Sequence, residues 1–216
     1  HLPQDHIVKW ISFVVSMLEI TILCRAVYEL WRLVNATDEK AFCAARGSFA
    51  ASKYWTVFIL LSSVLISIPP LNALIHGTYV VTGHAMGATI GIDTMILLGA
   101  VIWILSEHLQ AREGELASAV LHTAGVKGIV VGLNLSVAAL VLWLHVSGVI
   151  TGVTRAGFSP GETYVPPTWL ANWNGVLFAA TGVVALLFFV LLLARLVPVA
   201  FRYWWVAPTS PPAGTS

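Results

Sequence analysis

The chain has 216 residues, 58% of them hydrophobic and 10% charged, with nine tryptophans and nine phenylalanines; an ordinary soluble domain carries ~25% charged residues. So much apolar material exceeds what one water-facing core of this size can bury, and a large part of it must face lipid or other subunits. Eleven Lys and Arg against ten Asp and Glu leave a net charge of +1, which excludes a basic nucleic-acid footprint and an acidic tail.

A bilayer core of ~30 Å takes ~20 apolar residues per helix, and five stretches qualify: Ile7 to Val34, Tyr54 to Ile68, Gly77 to Leu105, Gly128 to Thr151 and Asn174 to Val197. They predict an all-α, polytopic membrane bundle of five transmembrane helices. One membrane domain covers 1–206, and the Pro-, Ser- and Thr-rich stretch 207–216 reads as a flexible tail. Pro69-Pro70 ends the second span, because two N–H groups are missing and the rings clash with the preceding turn. Arg32, Lys40, Arg46, Lys53, Arg112, Lys127, Arg195 and Arg202 fall on one side of the spans, and only Lys9 and Arg155 on the other. By the positive-inside rule the N-terminus is then outside and the C-terminus cytoplasmic. Trp10, Trp31, Trp55, Trp173, Trp204 and Trp205 suit interfacial anchoring at span ends. Cys24, in an apolar run, and Cys43, in a polar loop, read as free thiols. The sequence opens on His1 without a cleavable leader pattern, which predicts a processed protein, a fragment or one piece of a split protein.

Ionisable residues inside lipid-spanning helices are costly and usually face a cavity, a cofactor or a partner. Glu19 and Arg25 in the first span, and His84 and Asp93 in the third, meet that description. Arg25 has a bland alternative, since its long stem lets the guanidinium snorkel or pair. At 1.5 Å per residue, His84 lies ~12 Å in from His76 and Glu19 ~18 Å in from Ile7, depths at which both can line one buried site. His145, His108 and His122 read as structural.

His84 and Met86 stand two residues apart and so point ~200° away from each other on a helix. They cannot share one metal ion, yet each can serve a different heme iron, because imidazole and thioether are both axial heme ligands. The competing readings are a hydrogen-bonded packing histidine and a gap-filling methionine. Gly77, Gly83, Gly87 and Gly91 on or near the same helix permit close approach of a flat ring or, equally, of a neighbouring helix.

The string His76-Gly77-Thr78 through His84, preceded by Pro69-Pro70-Leu71-Asn72, resembles the large subunit of bacterial nitric oxide reductases, in the heme-copper oxidase superfamily. The stretch Trp10 to Glu19 is similar to the helix that brings a glutamate towards the active site in that family. The resemblance implies a partial heme-copper oxidase-like fold, the five spans answering to the last five of the family's twelve helices. It implies His84 as axial ligand of a high-spin catalytic heme and Glu19 as the carboxylate beside a non-heme iron or copper held mainly by the missing half. Met86 falls where the family has the histidine of a low-spin heme, a departure that leaves ligation by the thioether, or loss of that heme, open. His76 falls in the region approaching heme propionates, with a cap role as the alternative. Asp93 replaces a residue that is often neutral and reads as a proton-relay group or a paired structural carboxylate.

The implied reaction joins two NO molecules to N2O. The implied partners are an N-terminal half or companion membrane subunit, the lipid bilayer, and an electron donor of the cytochrome c or cupredoxin type, or quinol. Rival expectations are an O2-reducing terminal oxidase, an NO dismutase-like enzyme, and a noncatalytic structural membrane subunit.

Overall fold

A computed structural model of the chain describes residues 6–36, 43–114, 119–159 and 162–205. Among the described residues every regular element is helical. In chain order these are α1 (His6–Ala36), α2 (Cys43–Ser67), α3 (Pro69–Ile75), α4 (Tyr79–Met86), a π-helical segment (Gly87–Asp93), α5 (Thr94–Glu113), a 3-10 turn (Ala119–His122), α6 (Ala124–Arg155) and α7 (Thr168–Trp205). Helix α4, the π segment and α5 run on as one rod, so five helices of 24 to 35 residues are long and apolar enough to cross a membrane. The bundle is all-α, as the spacing of apolar runs predicts.

The central member is α6, which packs against α2, α3, α4, the π segment and α7. Val137 and Val141 on its inner face are fully buried with Met95 and Ile102 of the third rod. With lipid outside as apolar as leucine, helix association rests on close van der Waals packing at small residues rather than on exclusion of water. Gly148 and Gly152 of α6 supply this: a Cβ on Gly148 would strike the backbone of Val80, and one on Gly152 would stand 2.6 Å from the carbonyl oxygen of Leu74. Helices α1 and α7 lie at the periphery, and their outer faces, with Ile22 and Leu186 among them, are exposed.

Helix α2 starts roughly three turns before the apolar run that marks it in the sequence. Its first half carries Arg46, Ser48, Ser52 and Lys53, which depress hydropathy, yet Ser48, Ser52 and Lys53 are buried. The serines donate to the carbonyl oxygens of Ala44 and Phe49, and the Lys53 ammonium lies 3.9 Å from the ring centroid of Trp31 on α1. Cys43 therefore opens a helix instead of lying in a loop. The same extension moves Trp55 to the middle of α2, where it is buried and donates to Oδ1 of Asn134 at 3.1 Å. It is a packing residue there and not an interfacial anchor. The tail 207–216 and His1 lie outside the described residues.

Candidate functional site: an imidazole and serine cluster between three helices

The turn that leads into α4 is built by the stretch Pro69 to Thr78. Pro69 and Pro70 occupy the first two positions of α3, where an absent N–H costs nothing. Asn72 donates Nδ2 to the carbonyl of Ile66 at 2.9 Å, tying α3 back to α2. His76 caps α3, Gly77 adopts φ +72°, and Thr78 is the N-cap of α4, its Oγ1 accepting from Val80 N at 3.3 Å. Positive φ at the middle residue is the reason for glycine there. Arg155 of α6 donates Nη2 to the carbonyls of His76 at 2.8 Å and Leu74 at 3.2 Å, satisfying acceptors that the end of α3 leaves over.

One and a half turns into α4, His84 reaches a polar cluster. Its Nδ1 lies 3.3 Å from Ser62 Oγ and its Nε2 3.5 Å from Ser63 Oγ, both on α2. The Ser62 hydroxyl also lies 3.1 Å from Nε2 of His145 on α6, whose Nδ1 lies 2.8 Å from the carbonyl oxygen of Val141. Phe58 meets the His145 ring edge-on, centroids 5.3 Å apart. These serines differ from the others buried in the spans. Ser48, Ser52, Ser106, Ser136 and Ser147 each donate to a carbonyl three or four residues earlier in their own helix, the default for a hydroxyl in a membrane helix. Ser62 and Ser63 instead face imidazoles on other helices. Neither serine, nor the pairing of His145 with His84, follows from sequence spacing; the adjacent serine pair near the end of an apolar run is the one signal the sequence offers.

The glycines of this rod admit side chains of the same chain. A Cβ on Gly83 would stand 2.8 Å from Nδ1 of His145; one on Gly87 would strike Ile59, and one on Gly91 would strike Trp55. Met86, on another side of α4 from His84, is half-buried and packs against the apolar core. The π segment follows at once, closed by the bond from Thr94 N–H to Thr89 C=O; single π turns inside α-helices recur at functional sites. Asp93 ends that segment and is exposed, on the same outer stripe as Thr82, Ala85 and Thr89. His76 is exposed beside the turn. Glu19 belongs to α1, but its side chain lies outside the described residues; Arg25 is exposed on the same helix.

A heme iron asks of a histidine one nitrogen with an available lone pair and a partner that holds the other nitrogen in place. His84 fits that requirement. Its Nδ1 has the Ser62 hydroxyl, and its Nε2 has only the 3.5 Å contact to Ser63, at the outer limit of a hydrogen bond. The space opposite Gly83, Gly87 and Gly91 is filled by protein. Among the described residues no three His, Cys, Asp or Glu side chains gather closely enough to hold a further metal ion.

Comparison of the chain with protein-family models, with curated proteins and with solved structures gives no match.

Proposed function

We propose that this chain is part of a heme-bearing membrane oxidoreductase resembling nitric oxide reductase, with His84 as the axial ligand of the catalytic heme. One observation carries the reading: an imidazole inside the third spanning helix, one and a half turns from its start at Tyr79, has one nitrogen held by Ser62 and the other in only a marginal contact. An ionisable group within a spanning helix is a functional-site candidate by default. The implied reaction is 2 NO + 2 e⁻ + 2 H⁺ → N2O + H2O. The bound heme would supply the redox-active iron and an open coordination position.

The chain's own residues have narrower tasks in this reading. His84 holds the iron at a fixed depth through the rigid α4 rod, and the apolar helices around it keep out bulk water. Asp93, exposed at the end of the π segment, and Glu19 on α1 are the carboxylates assigned to proton delivery. A companion half supplies the remaining metal ligands and docks on faces this chain leaves open; the exposed stripe of small and polar residues Thr82, Ala85, Thr89 and Asp93 suits protein better than lipid. Met86, packed on the core, is the weaker of the two proposed heme ligands. Electrons arrive from a cytochrome c-type or cupredoxin subunit or from quinol, and the assembly sits in a bacterial inner membrane with its C-terminus cytoplasmic.

A second reading has its own support. The contacts of both His84 nitrogens with serines, and the packing of Met86, also suit a noncatalytic scaffold subunit. Purification of the assembled complex followed by reduced-minus-oxidised spectra and an assay of NO consumption with N2O formation separates the two. Heme bands together with N2O formation support the enzyme; a complex free of heme, or one that consumes O2 and leaves NO untouched, removes it.

A further inference from the structure

We infer that His145, acting through Ser62, fixes the tautomer of His84, so that Nδ1 of His84 carries the proton and Nε2 the lone pair. The direction of each hydrogen bond follows from the one before. The carbonyl of Val141 only accepts, so Nδ1 of His145, 2.8 Å away, must be the protonated nitrogen. In a neutral imidazole the other nitrogen is then an acceptor. The single proton of the Ser62 hydroxyl goes to it across 3.1 Å. What Ser62 turns towards Nδ1 of His84, at 3.3 Å, is a lone pair, and that nitrogen must donate. Nε2 of His84 is left as the basic nitrogen. Its neighbour at 3.5 Å, the Ser63 hydroxyl, is a group that can donate to it.

The chain of bonds ends on a backbone carbonyl, which cannot pass a proton onward. The arrangement is therefore a directional lock rather than a proton wire. Two features hold His145 in register: Gly83, where any Cβ would crowd its ring at 2.8 Å, and the edge of Phe58. His145 and Ser62 are thus positioning residues in the sense that a metal-binding histidine needs them, with the second nitrogen engaged and the tautomer chosen. The inference deepens the reading of His84 as an iron ligand, but the tautomer is a property of the chain without any heme.

The test is nitrogen NMR of the full chain, labelled with 15N-histidine and reconstituted in lipid bilayers without heme. The expected spectrum gives His84 as one form, protonated at Nδ1 and bare at Nε2. In Ser62→Ala the single form gives way to a mixture, and Ser62→Thr restores it. In His145→Leu the Ser62 hydroxyl is released to rotate and donate to His84, and the mixture returns although Ser62 is intact. A proton on Nε2 of His84 in the unaltered chain overturns the inference, as does an unchanged His84 signal in both Ser62→Ala and His145→Leu. Should a variant lose its helical circular dichroism, the spectrum of the unaltered chain decides. A complex lacking heme with the Nδ1–H form intact ends the oxidoreductase reading and leaves the lock standing.

Discussion

Gly83 of α4 lies against the ring of His145 of α6: a Cβ on residue 83 would stand 2.8 Å from Nδ1, 3.1 Å from Cε1 and 3.0 Å from the Cβ of Leu144. The glycine is what lets the imidazole cluster close. Gly83→Ala is expected to destabilise the bundle by about 1–3 kcal/mol, the usual cost of overpacking, because neither neighbour is the loose end of a flexible side chain. Gly47, on α2, has nothing within 4 Å of the corresponding position. Gly47→Ala should be neutral or stabilising by up to ~1 kcal/mol, since alanine is the better helix former. Reversible unfolding in mixed micelles measures both, and equal effects would contradict the packing at Gly83.

Helix α1 touches the rest of the protein chiefly along α2, and the buried Lys53 ammonium lies 3.9 Å from the ring centroid of Trp31 and 4.7 Å from that of Tyr54. No carboxylate is bonded to it among the described residues. Trp31→Leu should cost about 1–2 kcal/mol, the range of a desolvated cation–π contact, and the loss should be local. Hydrogen exchange is the measurement: amides of α1 and the first half of α2 should open, while α5 and α6 keep their protection.

Arg155 carries two of the bonds that fasten the α3–α4 turn, to the carbonyls of Leu74 and His76. Bonds from a charged donor are worth ~1.5–3 kcal/mol when dry; with the guanidinium half-exposed, Arg155→Met should cost about 1–2 kcal/mol in total. The amides of Gly77 and Thr78 should exchange faster, and His84 should lose its fixed position before the rest of α4 does. Unchanged exchange at the turn would show that Thr78 and Asn72 hold it unaided.

His122 lies in the 3-10 turn between the third and fourth spanning helices, and burial lowers its pKa below the ordinary histidine value. The unfolded chain therefore binds this proton first as the pH falls. The contribution to stability is full above the ordinary value of ~6.5 and is lost as the pH drops towards the folded value. Thermal unfolding between pH 7 and about 5 should show stability declining on acidification, and His122→Asn should flatten that slope. A slope of opposite sign would mean that the charged form is the one the fold prefers.

Much of the fold was legible because lipid solvation writes itself into long apolar runs, and all five spans follow from them. The start of α2 was not, because Ser48, Ser52 and Lys53 look like loop residues until their carbonyl and aromatic partners are known. Within the site, His84 was legible as an ionisable residue in a membrane helix. His145 read as structural, since nothing in its spacing joins it to His84; the link passes through Ser62 on a third helix. The π segment was also invisible, because its glycines suit an α-helix with close neighbours equally well, and only the contacts of Gly87 and Gly91 with Ile59 and Trp55 distinguish their role.

Carbon monoxide is the sharpest probe of the proposed heme ligation by His84. In the purified, reduced complex a CO-difference spectrum should show a reactive heme; His84→Ala should abolish or strongly diminish that signal, and added imidazole should restore it. A CO-reactive heme undiminished in His84→Ala, or none in the unaltered complex, would contradict the account.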